Sequence, residues 1–218
     1  LRGNPGGLLD QAVRMADLFL TSGPIVSTDA RDSRNRDQKF ARPEGTEPNY
    51  PIIVLINGGS ASASEIVAGA LKNLDRAVIV GQTTFGKGTV QIVIPRVTPD
   101  GAALKLTIAQ YLTPGDVSIQ GVGVTPDIEL DPMTADALEM DLYRTDKLLK
   151  ENDLIQTLTA KAKRNTERAF ATLRYDLPQR ERARLRDLGG DLEDQFELDF
   201  PTRFARDLVK HLEPGRRP

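Results

Sequence analysis

The 218-residue sequence has no cysteine, a single histidine and no long apolar run, and each absence removes a class of function. Without cysteine there can be no disulfide, no thiol nucleophile and no thiolate metal site. One histidine, His211, is too few for a zinc site of the usual histidine-rich kind. Any Ser-His-Asp triad would also have to use it. It lies in Phe204–Leu212, which reads as an amphipathic helix ending in basic residues, where a histidine serves as a C-terminal cation or a surface group. No segment approaches the roughly 20 apolar residues of a membrane span. The formal net charge is -2 and the charges are interspersed, so nothing marks a surface for nucleic acid or for anionic lipid.

What is present is ordinary for a soluble globular protein: 39% hydrophobic and 28% charged residues, enough for one moderately large domain or a core with an appendage. The opening Leu1-Arg2-Gly3-Asn4-Pro5-Gly6-Gly7 is a turn with no element before it and reads as the interior of a longer protein whose N-terminal part has been removed. Leu9, Val13, Ala16 and Leu20 then recur at helical spacing, and residues 24–28 suit a short strand. Residues 29–49 are polar and read as an exposed loop or ribbon. Ile52–Ile56 is a continuous apolar run suited to a strand buried on both faces, followed by a break at Asn57-Gly58-Gly59. A helix of small residues over 63–74 and a second buried strand at 77–80 complete a βαβ unit. Strands over 88–94 and 103–112 flank a turn at Pro99-Asp100-Gly101 and are expected to run antiparallel. Beyond Asp131 the texture changes. Residues 134–186 read as helical and highly charged, with arginines at 180, 182, 184 and 186 on a solvated face; 187–197 reads as an acidic loop and 201–212 as a last amphipathic helix. The division is therefore a core over 1–130 and a mostly helical region over 131–218.

Two segments carry chemistry. Gly59-Ser60-Ala61-Ser62-Ala63-Ser64-Glu65 lies between a buried strand and a helix. Ser62-x-x-Glu65 is a capping-box pattern, which needs no enzyme to explain it. The same position also exposes the Ser62 hydroxyl and leaves the Ala63 N–H free to stabilise an oxyanion. The second segment, Gly81-Gln82-Thr83-Thr84-Phe85-Gly86-Lys87-Gly88-Thr89, begins like a phosphate-binding loop but has Gly88 where magnesium needs a hydroxyl, and a strand follows where a helix should start. Read as extended chain, Lys87, Thr89 and Gln91 share one face, with glycines beside the lysine that let another backbone approach. A lysine partly withdrawn from water there favours the neutral amine, the form that can act as a base. A solvent-exposed lysine in a glycine-rich turn is the alternative.

Taken together, Leu1–Leu8, Gly59–Ile66, Thr84–Gln91, Tyr111-Leu112-Thr113-Pro114-Gly115 and Gly123-Val124-Thr125-Pro126-Asp127 resemble the C-terminal processing (tail-specific) peptidases, serine peptidases of S41 type with a Ser/Lys dyad. The resemblance covers residues 1–130, with a weaker likeness at 201–212. It implies an α/β fold with a crotonase/Clp-like core of βαβ units and a charged, helical C-terminal extension. It assigns Ser62 as nucleophile, Lys87 as general base 25 residues later, Gln91 as the residue orienting the lysine amine, and Ala63 and Gly7 as oxyanion-hole amides. It implies no cofactor. It also implies polypeptide substrates with exposed C-terminal tails, an upstream PDZ domain absent from this chain, and a cell-envelope, extracytoplasmic location. The C-terminal region is a candidate for homo-oligomerisation, for covering the site or for binding an adaptor. Two other classes remain open at this point: a non-catalytic polypeptide-binding scaffold of the same fold, and a crotonase-type acyl-CoA enzyme, which would leave Lys87 unexplained.

Overall fold

A computed structural model describes residues 1–30, 36–98, 101–135, 140–142, 150–153, 163–176 and 199–213. In chain order the elements are α1 (Leu9–Asp17), β1 (Pro24–Ala30), β2 (Asp37–Phe40), β3 (Ile53–Ile56), α2 (Ala63–Asn73), β4 (Val78–Gly81), β5 (Thr89–Ile94), β6 (Leu104–Thr113), β7 (Val117–Ser118), β8 (Ile128–Ala135), β9 (Met140–Leu142), β10 (Lys163–Arg164), β11 (Ala171–Asp176) and α3 (Phe200–Val209). They form two sheets. One follows the order β11-β8-β4-β3, all parallel, with β9 antiparallel to β8. The other follows β10-β7-β6-β1-β2, with β5 paired to β6.

The unbroken apolar character of β3 and β4 has its cause in this arrangement, because the parallel sheet is covered on both faces. Val54, Ile56 and Ile79 point into one cluster with Ala12, Ala16, Ile25, Ile66 and Leu71, which joins α1, α2 and β1. Ile53, Leu55, Val78 and Val80 point the other way, against Phe200, Phe204 and Leu208 of α3. The β3–α2–β4 unit is the expected βαβ, with Ile53 opposite Val78 and Ile56 opposite Gly81.

Helix α2 sits between the sheets, and every residue from Ala63 to Lys72 is buried. That placement accounts for its small side chains. A Cβ at Gly69 would stand 2.5 Å from Thr113 Cγ2 of β6, so only glycine lets helix and strand approach this closely.

β5 and β6 pair antiparallel as expected, with Ile92 opposite Leu106 and Ile94 opposite Leu104. This end of the hairpin projects, and those four side chains are exposed. The ribbon expected within 29–49 includes β2, which pairs with β1.

Over 134–186 the expected helix is found only as a short 3-10 turn at Glu151–Asp153, and the other regular elements among the described residues are strands. Residues 171–176 form β11, paired in parallel with β8 along its whole length, and 140–142 and 163–164 are also strands. The charge of the region suggested a solvated helix, but Ala171, Leu173 and Tyr175 alternate with Thr172, Arg174 and Asp176, a period of two that suits the edge of a sheet. The arginines at 180–186 and the acidic stretch 187–197 lie outside the described residues. The closing helix is present as α3.

Candidate active site

β3 delivers the chain to Asn57 at the C-terminal edge of the parallel sheet, where side chains and the N-terminal turn knit a tight loop. Asn57 Oδ1 accepts from Gly3 N–H at 2.8 Å and Gly59 N–H at 3.1 Å. Fully buried Ser60 donates its hydroxyl to Leu1 O at 2.7 Å, and Ala61 N–H donates to Asn4 O at 3.0 Å. The turn at 1–7 is thus fastened to the chain just ahead of Ser62.

Ser62 adopts φ 56° and ψ −117° immediately before α2. An ordinary N-cap is extended; this one lies in a region that costs a non-glycine residue on the order of 1–3 kcal/mol. A strained strand-to-helix corner is the backbone shape that lifts a nucleophilic hydroxyl clear of its neighbours. Among the described residues the N–H of Ala63 has no hydrogen-bond partner, and it opens the N-terminus of an 11-residue helix.

Glu65 is fully buried, and its carboxylate gathers the surrounding parts. Oε2 accepts from Ser62 N–H and from Lys87 N–H, each at 2.8 Å, while Oε1 accepts from Gly86 N–H at 2.7 Å and from the Thr84 hydroxyl. The Ser62 and Lys87 amides therefore lie within two hydrogen-bond lengths of each other. Burial raises the Glu65 pKa above its ordinary range, while the four donors pull it back down. The same geometry explains why 81–87 only begins like a phosphate loop: its Gly86 and Lys87 amides already hold an anion, the carboxylate of Glu65, and β5 follows.

The lysine loop is pinned on its other side as well. Gly88 N–H donates to Gln120 Oε1 at 2.8 Å, Gly121 N–H to Gly86 O at 2.8 Å and Phe85 N–H to Ser60 O at 3.0 Å. Lys87 itself is half-buried, and its amine is not hydrogen-bonded to the Ser62 hydroxyl. Gln91 is exposed and its Nε2 donates across the hairpin to Thr107 Oγ1 at 3.4 Å, not to Lys87.

The glycines at 6 and 7 differ in role. Gly6 has φ 95°, its N–H is taken by Asn4 Oδ1 at 2.8 Å, and a Cβ there would stand 2.5 Å from Ala61 O and 2.7 Å from Ala63 N. Any side chain at 6 would fill the space against the Ala63 amide. Gly7 is exposed and, among the described residues, its N–H has no partner. His211 follows α3 as an exposed residue, away from this constellation.

Residues 1–130 match peptidase family S41. The chain belongs to that family. Relatives include a carboxy-terminal-processing protease of Bartonella bacilliformis, 54% identical over 131 residues covering 60% of this chain and 30% of the relative. A chloroplastic C-terminal processing peptidase of Tetradesmus obliquus is 41% identical over 133 residues, covering 61% and 28%. Among solved structures, the photosystem II D1 C-terminal processing protease superposes with a TM-score of 0.54 at 40% identity, covering 60% of this chain and 33% of its own. The chain thus spans about a third of the length of these S41 relatives. Ser62, Glu65 and Lys87 all fall inside the S41 match; α3 falls outside it.

Sequence reasoning missed two contributors to this site. Glu65 was legible only as half of a capping box, since nothing in Ser-x-x-Glu spacing says that its carboxylate also reaches a loop 20 residues downstream. The resemblance left the oxyanion amide between Gly6 and Gly7 with Gly7 preferred, and it did not show that Gly6 is the position where the turn packs against the Ala63 backbone.

Proposed function

We propose that this chain carries the catalytic core of a serine endopeptidase of the C-terminal processing type, with Ser62 as nucleophile and Lys87 as general base. The observation that carries the reading is the strained Ser62 corner, tied by one buried carboxylate to the backbone of Lys87. The Lys87 amine takes the Ser62 proton as Oγ attacks a peptide carbonyl. The oxyanion that forms accepts from Ala63 and Gly7 N–H. Lys87 then passes the proton to the leaving amine, and water hydrolyses the acyl-enzyme. Catalytic hydrogen bonds are commonly loose in an unliganded site and tighten with substrate, so the Ser62 to Lys87 bond belongs to the bound state. Gln91 orients the lysine amine once its amide swings from Thr107.

The central helix between two sheets, with the free Ala63 amide at its N-terminus, supports reading the core as crotonase/Clp-like and the oxyanion hole as its working part. Acyl transfer of this kind calls for no cofactor. The substrates are polypeptides with exposed C-terminal tails, presented by an upstream PDZ domain, an adaptor or a second copy, in the cell envelope. No helix among the described residues is long and apolar enough to cross a membrane.

The test is cleavage of an unfolded protein by the full-length enzyme beside Ser62→Ala and Lys87→Ala. Both variants should remain folded and lose turnover by on the order of 1000-fold or more. Cleavage that survives in either folded variant would discard the dyad.

A further inference from the structure

We propose that Asp199 is a positioning residue for this site: through its ion pair with Arg2 it holds the 1–7 turn, and with it Gly6 and Gly7, against the Ser62 corner. The catalytic part of this proposal rests on the Ser62/Lys87 reading; the structural part does not.

Asp199 is the N-cap of α3, and its Oδ1 accepts from Thr202 N–H at 3.0 Å. A cap needs only one oxygen, and serine or asparagine would supply it equally well. The second oxygen does something else. Oδ2 accepts from Arg2 Nη1 at 2.5 Å, with the two side chains only 14% and 23% exposed, so the pair is shielded from most of the screening that weakens surface ion pairs.

Arg2 stands between two of the three anchors of the turn, Leu1 O on the Ser60 hydroxyl and Gly3 N–H on Asn57 Oδ1. The stretch beyond it is held by hydrogen bonds, Ala61 N–H on Asn4 O and Gly6 N–H on Asn4 Oδ1. Gly3 and Gly6 have positive φ, and Gly3, Asn4, Pro5 and Gly7 are all exposed, so packing does little to hold them. The other end of the pair is rigid. Phe200 stacks on Tyr175 at 4.4 Å between ring centroids, and Phe200, Phe204 and Leu208 dock α3 on the outer face of the parallel sheet. Asp199 thus transmits the fixed position of a packed helix to an exposed, glycine-rich turn that, on the proposed reading, presents an amide to the reacting carbonyl. A displacement of that turn by about 1 Å would be felt as a loss of rate on the order of 100-fold.

Asp199→Asn in the full-length protein separates the two jobs of the side chain, since asparagine caps as well as aspartate but carries no charge. Hydrogen exchange of residues 1–8 should speed up by about 10-fold while α3 keeps its protection. The kcat for an unfolded test protein should fall by about 10-fold or more with KM unchanged, because the lost interaction acts in the transition state. Asp199→Glu, a poorer cap that keeps the charge, should recover more kcat than Asp199→Asn. Unchanged exchange in 1–8 overturns the proposal. So does a loosened turn with undiminished kcat, or a Glu variant that fares worse than Asn. If the wild type itself cleaves nothing while the turn loosens as expected, the peptidase reading has failed and the Arg2–Asp199 restraint stands by itself.

Discussion

Glu65 presents an unusual account at the scale of a single residue. Desolvation favours its protonated form, while three amides and a hydroxyl favour the carboxylate. Glu65→Gln replaces one acceptor oxygen by a donor, so at least one of the Ser62, Gly86 and Lys87 amides is left facing an NH2 group. Each orphaned buried group costs about 1–3 kcal/mol. Because the amides orphaned belong to the Ser62 corner and the lysine loop, the proposed function predicts a fall in kcat on the order of 100-fold even in folded protein. The pH dependence has a definite sign. The folded pKa is raised above its ordinary value of 4.5, so the folded state takes up this proton more readily than the unfolded state. The resulting stabilisation is complete below 4.5 and is lost as pH rises through the folded pKa. Urea titrations of wild type and Glu65→Gln over that window should show the wild type gaining on the variant as pH falls. A difference that shrinks on acidification would refute the assignment.

Among elements, α2 is the one whose composition is most tightly dictated by its position. Gly69→Ala would gain about 1 kcal/mol of helix propensity in isolation. Here its Cβ meets Thr113, a β-branched side chain that is 2% exposed on β6 and cannot turn aside. Overpacking of this kind costs about 1–3 kcal/mol, so the net change should be destabilising, visible as a lower melting temperature. A higher melting temperature would mean that β6 yields more easily than its burial suggests. The same contrast decides what could be read from sequence. The β3–α2–β4 unit was legible because a sheet covered on both faces leaves unbroken apolar strands and a fully buried helix leaves small residues. The antiparallel β5–β6 hairpin was legible from its turn and its alternation. β11 was not, because Ala171–Asp176 is an edge strand whose charged side chains resemble those of a solvated helix and whose partner, β8, lies some 40 residues back. In the site, Ser62 and Lys87 could be picked out by residue type and spacing. What joins them could not, since hydrogen bonds to a carboxylate across a tertiary contact leave no periodicity.

For the molecule as a whole, one buried lysine ties the layers together. Lys72 of α2 is 3% exposed, and its amine meets Thr125 O at 2.6 Å, Glu167 Oε2 at 2.7 Å and Asp127 Oδ1 at 3.7 Å. It thereby links the central helix to the approach to β8 and to the segment before β11. Lys72→Met should cost about 2–4 kcal/mol, the upper end reduced because Glu167 is half-exposed. The change should appear as a lower urea midpoint at unchanged m-value, and a neutral result would show that the ion pairs contribute no net stability. The Arg2–Asp199 pair joins residues 197 positions apart, and it bears on how the protein emerges from the ribosome. Chains fold as they are made, from the N-terminus, and contacts distant in sequence must wait for their partners. The corner at Ser62, the lysine loop and the hydrogen bonds of the 1–7 turn can form before Asp199 has been translated, but the ion pair that restrains that turn has to wait for α3. On the proposed reading, a nascent chain would display Ser62 and Lys87 before the Arg2–Asp199 restraint on the Gly6–Gly7 turn had formed, and full activity would arrive only once synthesis had passed α3.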